Sequence, residues 1–233
     1  MIESFKCPQI LPQKTQWTVF LAGPMKGAPS WQAQAPKVAE KVGIKDVTFL
    51  NPHKAQRFIS PTLQVNWETF GLRMCDIILF WIPPQAKEIP SHRVYAITTR
   101  MELAENLVRG HKIILGVDPE CRELTGINYL IDHKARYYGF DRKKIHSTLE
   151  DCMKELKEWI DRSRAEEPKV HHMQEPAFGP FEALNHVMKP ETVRNEDMME
   201  QWNQTIAPGD TVYVEGDFGV EEWKPFLNGN ILT

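Results

Sequence analysis

The sequence predicts an α/β fold: an open parallel sheet with flanking helices, followed by a small α+β C-terminal segment. Three observations carry this. Short apolar runs such as Trp17–Ala22 and Ile77–Ile82 are hydrophobic throughout rather than alternating, as strands covered on both faces are. They are separated by segments with helical periodicity. Each run stops at Gly or Pro, at Gly23-Pro24, Asn51-Pro52 and Pro83-Pro84.

The elements follow in order. Trp17–Ala22 is a buried strand, and Ser30 is placed to cap a helix from Trp31 to about Val42, ended near Gly43. Val47–Leu50 is a second strand. Val65–Met74 is a helix with Trp67, Phe70 and Met74 on one face. Asp76 precedes the central strand Ile77–Ile82. A connection of about fourteen residues, Gln85 to Thr98, is longer than most and marks a functional loop. Thr98 or Thr99 caps the next helix, which runs through Val108 to Gly110. His111–Val117 is a strand, Ile127–Ile131 a short fifth strand, and Ser147–Ser163 an amphipathic helix with Leu149, Met153, Leu156 and Ile160 aligned. Residues 164–170 read as a linker. Beyond it come a helix from Asn195 to about Thr205, a turn at Pro208-Gly209-Asp210, a strand at Thr211–Val214, and a strand edge at Asn230-Ile231-Leu232.

Composition bounds the function. With 233 residues, 42% hydrophobic and 25% charged, the chain is globular, neither fibrous nor disordered. It contains no uninterrupted apolar stretch of about 18 residues, so no membrane span is expected. Met1 to Lys14 has neither a signal core nor a cleavage site, which makes the cytoplasm the expected compartment. Cys7, Cys75, Cys121 and Cys152 form no C-x-x-C pair, against a disulfide framework or zinc knuckle. The net charge of -3 is uneven: residues 1–165 carry 24 basic and 18 acidic side chains, and residues 166–233 carry 4 and 13. That break divides the chain into domains 1–165 and 166–233.

In an open parallel sheet, ligands bind at the carboxyl ends of the strands. Gly23, Pro24 and Met25 follow the first strand there, and Asn51 and Pro52 the second. The long loop delivers Thr99, Arg100 and Glu102. Glu102 is expected in the first turn of its helix, where the dipole and free N–H groups favour the ionised carboxylate, a ready nucleophile. The same spacing, Thr99 to Glu102, also fits a capping box. Trp31 and Trp67 are candidates for stacking on a flat ligand or for core packing. No G-x-G-x-x-G or Walker loop is present, so no nucleotide cofactor is implied.

Val19-Phe20-Leu21-Ala22-Gly23-Pro24 with Ser30-Trp31, then Phe49-Leu50-Asn51-Pro52, Asp76 with Ile77–Pro83, Thr98–Glu102 and Gly110-His111-Lys112 together resemble the nucleoside 2-deoxyribosyltransferase family over about residues 17–140. The resemblance implies a Rossmann-like, flavodoxin-like fold and transfer of a 2-deoxyribosyl group between nucleobases through a covalent glutamyl-sugar intermediate. Glu102 matches the nucleophile, and Asp76 is matched to an aspartate that handles the base and its proton. Gly23, Pro24, Met25, Trp31, Asn51, Pro52, Trp67, Thr99 and Arg100 are carried over as substrate-binding. The implied partners are a nucleoside or nucleotide and a free base, within a homo-oligomer whose neighbour completes the pocket. No nucleic acid is expected. The pattern departs from the best-studied branch at Ala96, where that branch has an aspartate, and in the first loop, where it has a tyrosine; Tyr95 and Tyr129 are candidate substitutes. Relatives of this fold hydrolyse nucleoside monophosphates, and Lys26, Arg93 and Arg100 suit a 5′-phosphate. N-glycosidic hydrolysis and non-catalytic nucleotide binding are therefore the alternatives.

The C-terminal stretch is similar to the start of a calcineurin-like metallophosphoesterase, on Asp210–Tyr213, Gly216–Gly219 and Leu227–Leu232. That family's first metal motif is matched here by Glu175–Gly179, with Ala177 in place of a histidine. Asp217 alone cannot hold a two-metal site, so a metal-free remnant is expected.

Overall fold

A computed structural model of the chain describes residues 1–9, 16–55, 59–121, 124–138, 144–165, 170–174, 202–204, 206–215 and 227–232. Its main body is a parallel sheet of six strands: β1 (Ile2–Cys7), β2 (Trp17–Ala22), β3 (Val47–Lys54), β4 (Ile77–Ile82), β5 (Ile113–Val117) and β6 (Ile145–His146). The order across the sheet is β1-β3-β2-β4-β5-β6. Every residue of β2, β4 and β5 is buried. That explains the unbroken apolar runs, because helices cover both faces. Helices α1 (Trp31–Lys41) and α5 (Leu149–Ala165) share one apolar cluster with Val19, Leu21, Leu79 and Trp81. Helices α2 (Pro61–Met74), α3 (Ile97–Val108) and α4 (Leu124–Tyr138) contribute to the cluster on the other face, with Phe20, Ile78 and Phe80.

Several boundaries differ from expectation. β1 shows no apolar run (IESFKC) because it is an edge strand, paired only with β3. β3 continues through Asn51-Pro52, where the expected strand stops. A proline in an inner strand is tolerated because the ladder to β1 skips there, from Lys6–Asn51 to Cys7–Lys54. α2 begins earlier, with Pro61 in the first turn and the Ser60 hydroxyl accepting from the Leu63 amide at 3.1 Å. The short strand expected at Ile127–Ile131 is instead the buried face of α4. Its two isoleucines are four apart, which suits one side of a helix as well as a strand. α3 starts at Ile97, with Ala96 in the cap position and no side-chain cap. The capping box from Thr99 to Glu102 therefore does not form, and Glu102 is the sixth helical residue, outside the first turn.

A second parallel sheet has the order β7-β8-β9, from β7 (Val170–Gln174), β8 (Thr211–Glu215) and β9 (Asn230–Leu232). Trp202, Ile206, Val212, Leu227 and Ile231 of this C-terminal part join the apolar cluster beside α2 and α3. Most of the helix expected from Asn195, and Glu175, Ala177 and Asp217, lie outside the described residues. All four cysteines are free and buried, and burial pushes the Cys152 thiol up to about 12.

Candidate active site

The strand order reverses at β2. The chain leaves β2 toward β3 on one side and returns through α2 to β4 on the other. The carboxyl ends of β2 and β4 therefore diverge into a crevice, where an open α/β sheet takes its ligand. A cavity of about 610 Å³ lies there, a size that suits a small-molecule ligand.

Each wall has a local cause. Gly23 ends β2 with no room for a side chain: a Cβ would sit 2.3 Å from the Trp81 carbonyl oxygen and 2.7 Å from the Trp31 ring. Pro24 and Met25 then turn along the cavity. Gly27, at a φ of 76°, accepts hydrogen bonds from the amides of Ala86 (2.7 Å) and Lys87 (3.0 Å). These bonds fasten the loop after β4 to the loop after β2. That second loop brings Ile89, His92 and Arg93 to the cavity. α2 supplies Gln64 and Glu68, and α3 supplies Thr99 and Glu102.

Glu102 is partly buried, and its carboxyl group makes no hydrogen bond among the described residues. Burial, then the negative charges of Glu68 and Glu105, push its pKa up to about 7. This reverses the expectation of a carboxylate ionised by a helix N-terminus: at the sixth position the N-terminal field has faded, and desolvation with like charge prevails. Glu68 accepts from Gln64 Nε2 at 2.7 Å. Burial raises its pKa too, while the Gln64 bond and Lys54 hold it partly down. Of the two, Glu102 keeps its proton to higher pH. A smaller groove of about 190 Å³ between α2 and α3 shares both carboxylates with the main cavity.

The structure brings Glu102, Gly23, Pro24, Met25, Pro52 and Thr99 to this cavity. Asp76 is not among them. It stands at the amino end of β4, the edge opposite the cavity, and is buried. Its carboxylate accepts from the Thr18 amide and from Asn228 Nδ2, each at 2.8 Å. A six-residue strand, about 20 Å long, separates the two edges. The carboxylate that shares the cavity with Glu102 is therefore Glu68, not Asp76.

Of Trp31, Trp67, Asn51, Arg100, Tyr95 and Tyr129, only Tyr95 lines the cavity. Trp31 is buried and donates its ring N–H to the Pro24 carbonyl at 3.3 Å. Trp67 donates to the Gln9 carbonyl at 2.9 Å. Asn51 is buried and accepts from the His53 amide at 3.0 Å. Arg100 Nη2 donates to the Tyr95 carbonyl at 2.9 Å. Tyr95 lines the cavity but donates its hydroxyl to the Pro83 carbonyl at 2.8 Å. Tyr129 is 73% exposed on α4 and does not line the cavity. Glu68 and Gln64 were missed because the α2 reading followed its aromatic face. The available signal was a polar i,i+4 pair, Gln64 and Glu68, flanking the buried Trp67.

A doubly covered parallel sheet with a ligand-sized cavity at its switch point, walled by two carboxyl groups whose pKa burial raises, is the arrangement of an α/β protein with a candidate small-molecule site. Within it, residues 16–121 match the family model described as "Nucleoside 2-deoxyribosyltransferase like". The match runs from the start of β2 to just past β5, and so includes Glu68 and Glu102. The comparison with curated proteins returned no match. Among the described residues, no group of three or more His, Cys, Asp or Glu side chains could hold a metal ion, and no helix is long and apolar enough to cross a membrane.

Proposed function

We propose that the chain is an N-glycosyl-transferring enzyme that moves a 2-deoxyribosyl group between nucleobases, with Glu102 as nucleophile and Glu68 as the proton-handling partner. The observation that supports it most is a carboxylate pair opening onto a nucleoside-sized cavity, with the Glu102 carboxyl free of hydrogen bonds among the described residues.

The pair works with one proton between its members: it rests on Glu102, the tighter holder, and the reactive form is the minor one in which it has passed to Glu68 and left Glu102 ionised. The Glu102 carboxylate attacks C1′ of the sugar. The C1′–N bond breaks, its electron pair stays on the base nitrogen, and the base takes the proton from Glu68. The sugar is then esterified to Glu102. In the second displacement an acceptor base attacks C1′, gives its N–H proton to Glu68, and releases Glu102. Two inversions leave the anomeric configuration unchanged. A 2-fluoro-2-deoxy nucleoside should label the chain once, at Glu102, by peptide mass spectrometry. Absence of labelling together with absence of base exchange would sink the reading.

Lys26, His92 and Arg93 at the cavity rim favour a second reading, hydrolysis of a (deoxy)nucleoside 5′-monophosphate, with water in place of the acceptor base. Products formed with and without a free base separate the two. We further infer two units, 1–165 carrying the site and 166–233 a metallophosphoesterase-like remnant without metal. A homo-oligomer in the cytoplasm is also part of this proposal. Val65, Val94 and Ile97, exposed at the cavity, suit cover by a neighbouring copy.

A further inference from the structure

The entry to α3 is built in an uneconomical way. Ala96, the cap residue, has left-handed backbone angles (φ 55°, ψ 23°) and offers no side-chain cap. An alanine holds that conformation only when its surroundings impose it. Here two bonds do so. The hydroxyl of Tyr95, itself 7% exposed, reaches back to the carbonyl of Pro83, the first residue beyond β4. From inside the helix, Arg100 reaches back to the Tyr95 carbonyl. The chain β4–Pro83–Tyr95–Arg100–α3 thus closes the long loop at its base. Glu102 lies two residues beyond Arg100, in the next turn of the same helix, so a shift of this end of α3 carries its carboxyl with it.

We propose that Tyr95 and Arg100 are positioning residues: they strut the first turn of α3 against the end of β4 and so aim the Glu102 carboxyl into the cavity. This rests on Glu102 being the nucleophile. It removes Arg100 from the substrate-binding set, since Arg100 does not line the cavity and its Nη2 donates to the Tyr95 carbonyl. Misplacing a reacting group by about 1 Å costs on the order of 100-fold in rate. The strut therefore acts on the chemical step.

The test compares wild type with Tyr95→Phe, Arg100→Ala and Arg100→Lys, by steady-state exchange and by the rate and stoichiometry of labelling with a 2-fluoro-2-deoxy nucleoside. The expected result is a kcat lowered about 10-fold in Tyr95→Phe and about 10–100-fold in Arg100→Ala, with KM within about threefold. Labelling is slowed by the same factors yet still reaches one sugar per chain, and Arg100→Lys, which can still donate to one carbonyl, recovers part of the rate. Three outcomes overturn the strut: wild-type kcat in both Tyr95→Phe and Arg100→Ala; a raised KM at unchanged kcat in Arg100→Ala, which returns that residue to substrate binding; and fewer labelled chains that each react at the wild-type rate, which marks a merely structural role. If wild type itself is never labelled, the proposed function fails, and the strut is read separately from the Glu102 carboxyl carbon by NMR titration. Tyr95→Phe, which changes no charge, should shift its midpoint by at least about half a unit as the carboxyl moves relative to Glu68 and Glu105. An unmoved midpoint overturns the strut.

Discussion

Glu102 carries a cost that can be measured. Its folded pKa of about 7 lies above the ordinary carboxylate value near 4.5, so the folded state binds more protons than the unfolded chain between those two pH values. Stability contributed through this group is therefore present below pH 4.5 and lost as pH rises toward 7 and beyond. Glu102→Gln should match wild type near pH 4 and exceed it by about 1–3 kcal/mol at pH 8, read by denaturant unfolding. An equal difference at both pH values would mean that the carboxyl is not desolvated. Glu68→Gln tests the pair from the other side. Wild type needs one proton on the pair, so kcat/KM should be bell-shaped, with an alkaline limb near 7 as the last proton leaves. Glu68→Gln removes both the repelling charge and the proton donor. Its rate should fall by about 10²–10⁴, and the residual activity should only rise with pH, its midpoint now below 7. A persisting alkaline limb would assign that proton elsewhere.

Elements, more than single residues, decided where the sequence was readable. β2, β4 and β5 announce themselves because burial on both faces demands unbroken apolar runs, and the Gly23-Pro24 break fixes the cavity wall. Gly23→Ala should accordingly cost about 2–4 kcal/mol and most activity, since the new Cβ meets backbone at Trp81 rather than a side chain that can move. β1 and α4 were not legible. An edge strand half in solvent needs no apolar run, and isoleucines four apart fit either element. The start of α3 misled for a different reason. Thr98-Thr99 looks like a cap, but the long loop delivers the chain in a left-handed turn at Ala96, set by the bonds of Tyr95 and Arg100. Ala96→Gly, which removes the Cβ strain but loosens the unfolded chain, should leave stability unchanged or raise it by up to about 1 kcal/mol. Ala96→Val should lower it by about 1–3 kcal/mol, because a β-branched residue tolerates that backbone poorly.

At the scale of the whole molecule, Asp76 joins the two parts of the chain. Sequence matching set it beside Glu102, although its place just before Ile77 already put it at the amino end of its strand, opposite the carboxyl ends where a parallel sheet takes its ligand. The structure puts it at the far edge, where Asn228 Nδ2 also reaches the carbonyls of Ile206 (2.7 Å) and Asn203 (3.2 Å), and Asn203 reaches the Met74 carbonyl at 3.4 Å. Removing the Asp76 carboxylate would leave the buried Thr18 amide without its acceptor, at about 1–3 kcal/mol, and take one of three acceptors from Asn228 Nδ2. Asp76→Ala should therefore lower stability by about 1–4 kcal/mol, and Asn228→Ala, which takes one donor from the buried Asp76 carboxylate, by a similar amount. Their effects should be far from additive, because both break one network. Measured well below either melting transition, kcat/KM of both variants should stay within about twofold of wild type, as neither residue touches the cavity. Loss of catalysis in folded Asp76→Ala, with Asn228→Ala still active, would return the aspartate to the chemistry and overturn the Glu68–Glu102 assignment. Equal activity in both, with lowered melting temperatures and earlier proteolytic release of residues 166–233, would identify the buried Asp76–Asn228 contact as the joint that ties the C-terminal sheet to the site-bearing one.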